Sequence, residues 1–164
     1  MKFPLYPTTY LEDWVSEWYI RNGWTNPKDL KATRIARKYR IHLIRKDMPS
    51  RYDRFGNYRA IIIDGRCSKE EQREQFYHEL CHAIRHTGRQ SMMPQAFREL
   101  QERDARHFTL YAALPHHMIK EYDLSDKDII SRWANDFRVT EKLCNERYEQ
   151  IWRRLHTTFI TEKY

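Results

Sequence analysis

No apolar run in this chain is long enough to cross a bilayer. The most apolar short stretch is Ala60 to Ile63, whereas a spanning helix needs about 20 apolar residues. The start, Met1-Lys2-Phe3-Pro4, lacks the extended apolar core of a secretory leader. Three cysteines, Cys67, Cys81 and Cys144, cannot all pair and show no C-x-x-C spacing, which argues against a disulfide framework. These absences set the expectation of a reduced, cytoplasmic protein without a membrane partner. Low-complexity segments, internal repeats and linkers are also missing, so residues 1–164 read as one domain.

What the chain does have is charge and rings. The formal net charge is +7, with Lys and Arg spread along the sequence. That balance permits a nucleic acid or an acidic protein as partner and selects neither. Aromatic residues make up 14% of the chain, so a core can be built from large rings.

The chemistry gathers in Phe76-Tyr77-His78-Glu79-Leu80-Cys81-His82, which contains HExxH. Ser68 and Glu71 form a capping-box pattern ahead of it, and no Pro or Gly interrupts the run to Thr87, with Gly88 as the stop signal. Phe76, Leu80 and Ile84 recur every four residues, with Tyr77 and Cys81 alongside, as on the apolar stripe of a helix. On a helix, residues i and i+4 lie nearly one above the other. His78 and His82 can therefore offer two imidazole nitrogens to one metal ion, while Glu79 stands beside it as a base.

A third ligand has to come from elsewhere. His86 continues the series, but it lies about 12 Å along the axis from His78, too far for one ion with bonds of about 2.0–2.1 Å. A metzincin-type extension would need Gly at 85 and His at 88, where the chain has Arg85 and Gly88. A carboxylate on a second helix is the other solution. Residues 94–114 read as that helix, with Phe97, Leu100, Ala105, Phe108, Tyr111 and Ala112 as its apolar face and Pro115 as its end. It carries Glu99, Glu102 and Asp104.

The order of strand, HExxH helix and a helix reading E-x-x-A-x-x-F closed by Pro resembles the ImmA/IrrE family of zinc metallopeptidases. The second motif here spans Glu102-Arg103-Asp104-Ala105-Arg106-His107-Phe108 and closes at Ala113-Leu114-Pro115. The spacing is also similar to that of thermolysin-like gluzincins. The resemblance implies Zn2+ held by His78, His82 and Glu102, with Glu79 as catalytic base. Asp104 is the rival of Glu102; its plainer reading is a solvated or supporting carboxylate. Cys81 stands where the family usually has Gly, and is read as a buried inert thiol more readily than as a thiolate ligand.

Around this centre the chain reads as α+β and mostly helical: N-terminal helices in 1–40, a small antiparallel sheet in 41–64 packed on the HExxH helix, a zincin-like zinc-binding core in 68–115, and a C-terminal helical pair in 124–155. Thr9 with Glu12 caps a first helix carrying Trp14 and Trp18, and Asn26-Pro27 starts a second with Lys28, Lys31, Arg34, Arg37 and Lys38 outward. Residues 41–44 and 58–63 are the strands, with turn residues at Phe55-Gly56-Asn57. The strand at 58–63 is expected to pair with extended substrate. His107, Tyr111, His116 and His117 are candidates to steady an oxyanion. The tail places helices near Ser125 and Thr140, and its junction resembles a helix-turn-helix with Arg138 where Gly is common.

The family resemblance implies a zinc metallo-endopeptidase whose partner is a helix-turn-helix repressor, cleaved to derepress phage, mobile-element or stress genes. Two rivals stand beside it. One is an antirepressor that binds the repressor without cutting; the other is a DNA-binding regulator using the C-terminal helices.

Overall fold

The computed structural model describes residues 3–86 and 92–161. Its elements are α+β and mostly helical, as the sequence pattern predicts. They fall into two compact units: Leu30–Thr109, and Met1–Asp29 with Leu110–Tyr164. Among the described residues no helix is long and apolar enough to cross a membrane, and none of Cys67, Cys81 and Cys144 forms a disulfide.

The unit Leu30–Thr109 holds α2 (Ala32–Lys38), β1 (His42–Lys46), β2 (Arg51–Phe55), β3 (Tyr58–Asp64), α3 (Lys69–Arg85) and most of α4 (Gln95–Ala113). The sheet has the order β1-β3-β2. β3 is parallel to β1, with His42 opposite Ala60, and antiparallel to β2, with Phe55 opposite Tyr58. This corrects the expected antiparallel sheet in two ways. The turn at Gly56-Asn57 joins β3 to β2, a strand whose polar run Arg51-Tyr52-Asp53-Arg54 gives no apolar alternation, and Gly56 supplies the positive φ of 56°. With β2 on one side and β1 on the other, β3 is central. Its backbone is paired along both edges, so residues 58–63 cannot take up a substrate strand. Central position also explains why Ala60, Ile61, Ile62 and Ile63 are apolar in succession and all buried.

α3 packs on β3 and β2. Its capping box is complete: Ser68 Oγ accepts from Glu71 N and Glu71 Oε2 from Ser68 N. Phe76, Tyr77, Leu80 and Cys81 are buried. Side chains tie the helix to the sheet along its length. Arg45 donates to Gln72, Gln75 accepts from Asp64 N, and Arg59 reaches from β3 to the carbonyls of Tyr39 and Ala83 at 3.1 and 2.7 Å. The helix ends at Arg85 with His86 extended (φ −107°, ψ 138°); the proposed stop at Gly88 lies outside the described residues. α4 follows Pro94, but its first turns differ from expectation. Phe97 and Leu100 are 62% and 56% exposed, and burial begins at Ala105.

α2 begins at Ala32, later than the Asn26-Pro27 signal. The Asp29 carboxylate accepts from Thr25 N and Asn26 N at 3.1 and 3.0 Å, which closes a separate 3-10 turn at Pro27–Asp29. Lys31, Arg34, Arg37 and Lys38 are exposed, as expected of an outward face.

The other unit brings both chain ends together: α1 (Tyr10–Arg21), the 3-10 turn, the last residues of α4, α5 (His116–Ile119), α6 (Ile129–Phe137) and α7 (Glu141–Thr161). Trp18, Tyr19, Trp24, Trp133 and Phe137 are buried there. Glu12 serves two structures. It completes the capping box of α1 and, fully buried, meets Arg147 of α7 at 2.7 Å; Arg154 and the Tyr6 hydroxyl also bind its carboxylate. α6 and α7 meet at Arg138, which adopts the left-handed conformation (φ 56°, ψ 48°) without being glycine. The lack of Gly at this junction therefore says nothing against a helix-turn-helix geometry.

Candidate metal centre

The site is built within the unit Leu30–Thr109 from one stretch of α3 and one of α4. The helical i, i+4 offset brings the Nε2 atoms of His78 and His82 to 3.4 Å from each other. Glu102 of α4 then spans the pair, with Oε2 3.1 Å from His78 Nε2 and Oε1 3.1 Å from His82 Nε2. Three ligands at about 2.0–2.1 Å from a tetrahedral zinc stand about 3.3 Å from one another. The observed separations of 3.1, 3.1 and 3.4 Å lie close to that edge, with each histidine facing its own oxygen of the carboxylate, and two nitrogens with one carboxylate form a donor set that zinc favours. Side-chain exposure falls from 46% at Glu102 through 28% at His78 to 9% at His82, so the triangle opens on one side and is closed behind.

Burial tunes the groups. It pushes the His82 imidazole down to about 4, with His78 and His86 adding to the effect and the Glu102 carboxylate opposing it. His82 is thus neutral at neutral pH, as a metal ligand must be. Burial likewise raises the Glu79 carboxyl above its ordinary value, against the pull of His78 and of a hydrogen bond from Ser50, and with help from the Glu102 and Asp53 charges. A carboxylate that holds a proton more readily than usual suits a base that must later release that proton to a leaving group.

Glu79 lies next to the triangle in sequence but is not part of it. It points towards the start of β2, where Ser50 Oγ donates to Oε1 at 3.0 Å. Sequence reasoning missed Ser50, because nothing in Met48-Pro49-Ser50 marks it as a partner of a residue 29 positions later. Asp104 is drawn away from the triangle as well. Its Oδ2 meets His86 Nε2 at 2.8 Å, Arg85 Nε at 3.3 Å and Cys81 Sγ at 3.6 Å. Burial raises its carboxyl, but the His86 and Arg85 interactions win and hold it below the ordinary range. Burial and the Asp104 charge push the Cys81 thiol well up, in keeping with an inert thiol. Glu99 is exposed and bonded to Gln95.

The remaining oxyanion candidates are placed as follows. His107 is exposed on α4. Tyr111, His116 and His117 belong to the other unit and bond within it: Tyr111 to Arg154 and Gln150, His116 to Tyr6, and His117 to the Trp24 carbonyl.

Comparison with known proteins agrees with the motifs. Over 148 residues the chain is 32% identical to the phage-like element PBSX protein XkdA of Bacillus subtilis (strain 168), covering 89% of this chain and 75% of that protein. It is 28% identical over 152 residues to YqaB of the same strain, an uncharacterized protein, covering 92% and 88% of the two chains. No solved structure matches. The IrrE N-terminal-like domain family matches residues 36–149, a span that contains the HExxH helix, the helix of Glu102 and Ser50 alike. With that match extending over most of its length, this chain belongs to the IrrE N-terminal-like domain family, peptidase family M78.

Proposed function

We propose that the chain is a zinc-dependent endopeptidase that cuts a protein substrate at a defined site. The observation that carries this reading is the convergence of His78, His82 and Glu102 at separations close to those of zinc ligands, with the Glu79 carboxylate beside them. His78, His82 and Glu102 hold the ion. Zinc bound there supplies Lewis acidity, which polarises a carbonyl and makes water a nucleophile near neutral pH. Glu79 accepts the proton of the attacking water and delivers it to the departing amine nitrogen. Ser50 orients the carboxylate of Glu79 by its hydrogen bond. β2 supplies the place for substrate. It is an outer strand of the sheet, it packs on α3, and its first residues adjoin Ser50, so an extended peptide added to β2 would run past Glu79.

The substrate we favour is a helix-turn-helix repressor. This rests on the family and on the relative named as a protein of a phage-like element. Co-expression with the repressor encoded beside this protein, followed by mass spectrometry, tests it, with Glu79→Gln in parallel. A cut seen only with the wild type is the expected result. Intact repressor that co-purifies with both forms would instead favour antirepression by binding. Salt-dependent, sequence-selective duplex binding would favour a role for the α6–α7 pair on DNA.

A further inference from the structure

Behind the candidate metal centre lies a second layer of polar side chains that the proposed reaction does not use. His86 Nδ1 is 3.0 Å from His82 Nδ1, and His86 Nε2 is 2.8 Å from Asp104 Oδ2. The same Asp104 oxygen lies 3.3 Å from Arg85 Nε and 3.6 Å from Cys81 Sγ. Cys81, His86 and Asp104 thus converge closely enough to be read as a second metal site in their own right.

The protons on these rings decide whether the layer can hold an ion of its own. A hydrogen bond between two imidazole nitrogens holds one proton, so one ring donates and the other accepts. His82 turns Nε2 towards His78 and Glu102. A neutral ring that ligates through Nε2 carries its proton on Nδ1, so His82 donates and His86 accepts. The proton of neutral His86 is then on Nε2, aimed at Asp104. Each of these ring nitrogens has a partner, and Arg85 Nε meets the same carboxylate oxygen. A metal ion on Cys81, His86 and Asp104 would reverse the chain. It would take His86 Nε2, move that proton to Nδ1, make His82 the acceptor, and put the His82 proton on Nε2, inside the first centre. While the His82–His86 bond stands, neutral rings cannot serve both sites. The guanidinium of Arg85 on the shared oxygen further disfavours a cation there.

We propose that His86 and Asp104 are positioning residues that hold His82 in the tautomer and orientation needed for ligation, and that Cys81, His86 and Asp104 form no independent metal site. This rests on the metal reading above. Partners of this kind behind a ligating histidine typically change metal affinity about 10–100-fold.

The test is zinc affinity by chelator competition, on proteins whose metal-free fold is checked by circular dichroism, together with nitrogen NMR of histidine-labelled protein. Expected are one zinc per chain, a proton on His82 Nδ1 and a proton on His86 Nε2. His86→Leu should weaken zinc binding about 10–100-fold. His86→Asn, whose carboxamide oxygen can accept in place of Nδ1, should recover most of the loss. If His86→Leu does not fold, Asp104→Leu and Asp104→Asn provide the same contrast one step further out. Three results overturn the proposal: zinc affinity unchanged in folded His86→Leu, a His86 proton on Nδ1, or a second metal equivalent whose cobalt–thiolate absorption disappears in Cys81→Ser. A wild-type protein that binds no zinc would remove the metal centre itself, and this proposal with it. That outcome is distinct from a wild type that binds one zinc regardless of residue 86.

Discussion

At the scale of single residues, Glu79 and Ser50 make different predictions. Glu79→Gln keeps the size and burial of the side chain but cannot accept a proton. Cleavage should fall by at least about 10²–10⁴-fold, with zinc content unchanged by metal analysis. Full activity in that variant would rule out Glu79 as the base. Ser50→Ala removes one hydrogen bond to a charged carboxylate, an interaction of about 1.5–3 kcal/mol. It should lower kcat/KM about tenfold or more and the melting temperature by several degrees, while leaving the zinc constant nearly unchanged. Loss of metal in Ser50→Ala would show that its role is not confined to the base. The HExxH pair was legible because a helix fixes where i+4 falls. Ser50 was not, because its approach to Glu79 depends on how β2 is set against α3, and no local pattern encodes that.

At the scale of elements, the same division between local and non-local signals holds. Both capping boxes formed as read, because each is closed within four residues. β2 was missed because Arg51–Phe55 is half-exposed and polar, and its existence rests on pairing with β3 across the Gly56-Asn57 turn. The direction of β1 was missed for a related reason: two β-rich runs in sequence do not tell whether a third strand lies between them. The α6–α7 junction offers a direct check on backbone cost. Arg138 holds φ at 56°, where an L side chain is disfavoured by about 1–2 kcal/mol and glycine is not. Part of that gain is offset by the extra freedom of glycine in the unfolded chain. Arg138→Gly should therefore stabilise the protein by about 0.5–1 kcal/mol, read as a rise in the urea midpoint at constant slope. A fall in the midpoint would mean that the Arg138 side chain contributes more than its backbone conformation costs.

At the scale of the whole molecule, the chain separates what it does from part of what keeps it folded. The proposed metal ligands and base lie within residues 30–109, while a buried charge cluster joins the N-terminal and C-terminal segments through Glu12, Arg147 and Arg154. No sequence pattern pairs residues so far apart, and Glu12 reads from sequence only as half of a capping box. Burial alone would raise the Glu12 carboxyl, but Arg147, the Thr9 backbone, Arg154 and Tyr6 outweigh it and hold it below its ordinary 4.5. A carboxyl depressed on folding stabilises the native state fully above its unfolded value. That contribution is lost progressively as pH falls from there through the folded value. The protein should thus lose stability on acidification below about pH 4.5, and Glu12→Gln should flatten that part of the profile. Arg147→Met leaves the buried carboxylate with Arg154 as its remaining cation. It should cost about 3 kcal/mol and move acid unfolding, followed by circular dichroism, to higher pH. An acid transition that stays in place in both variants would show that carboxyls other than Glu12 set it.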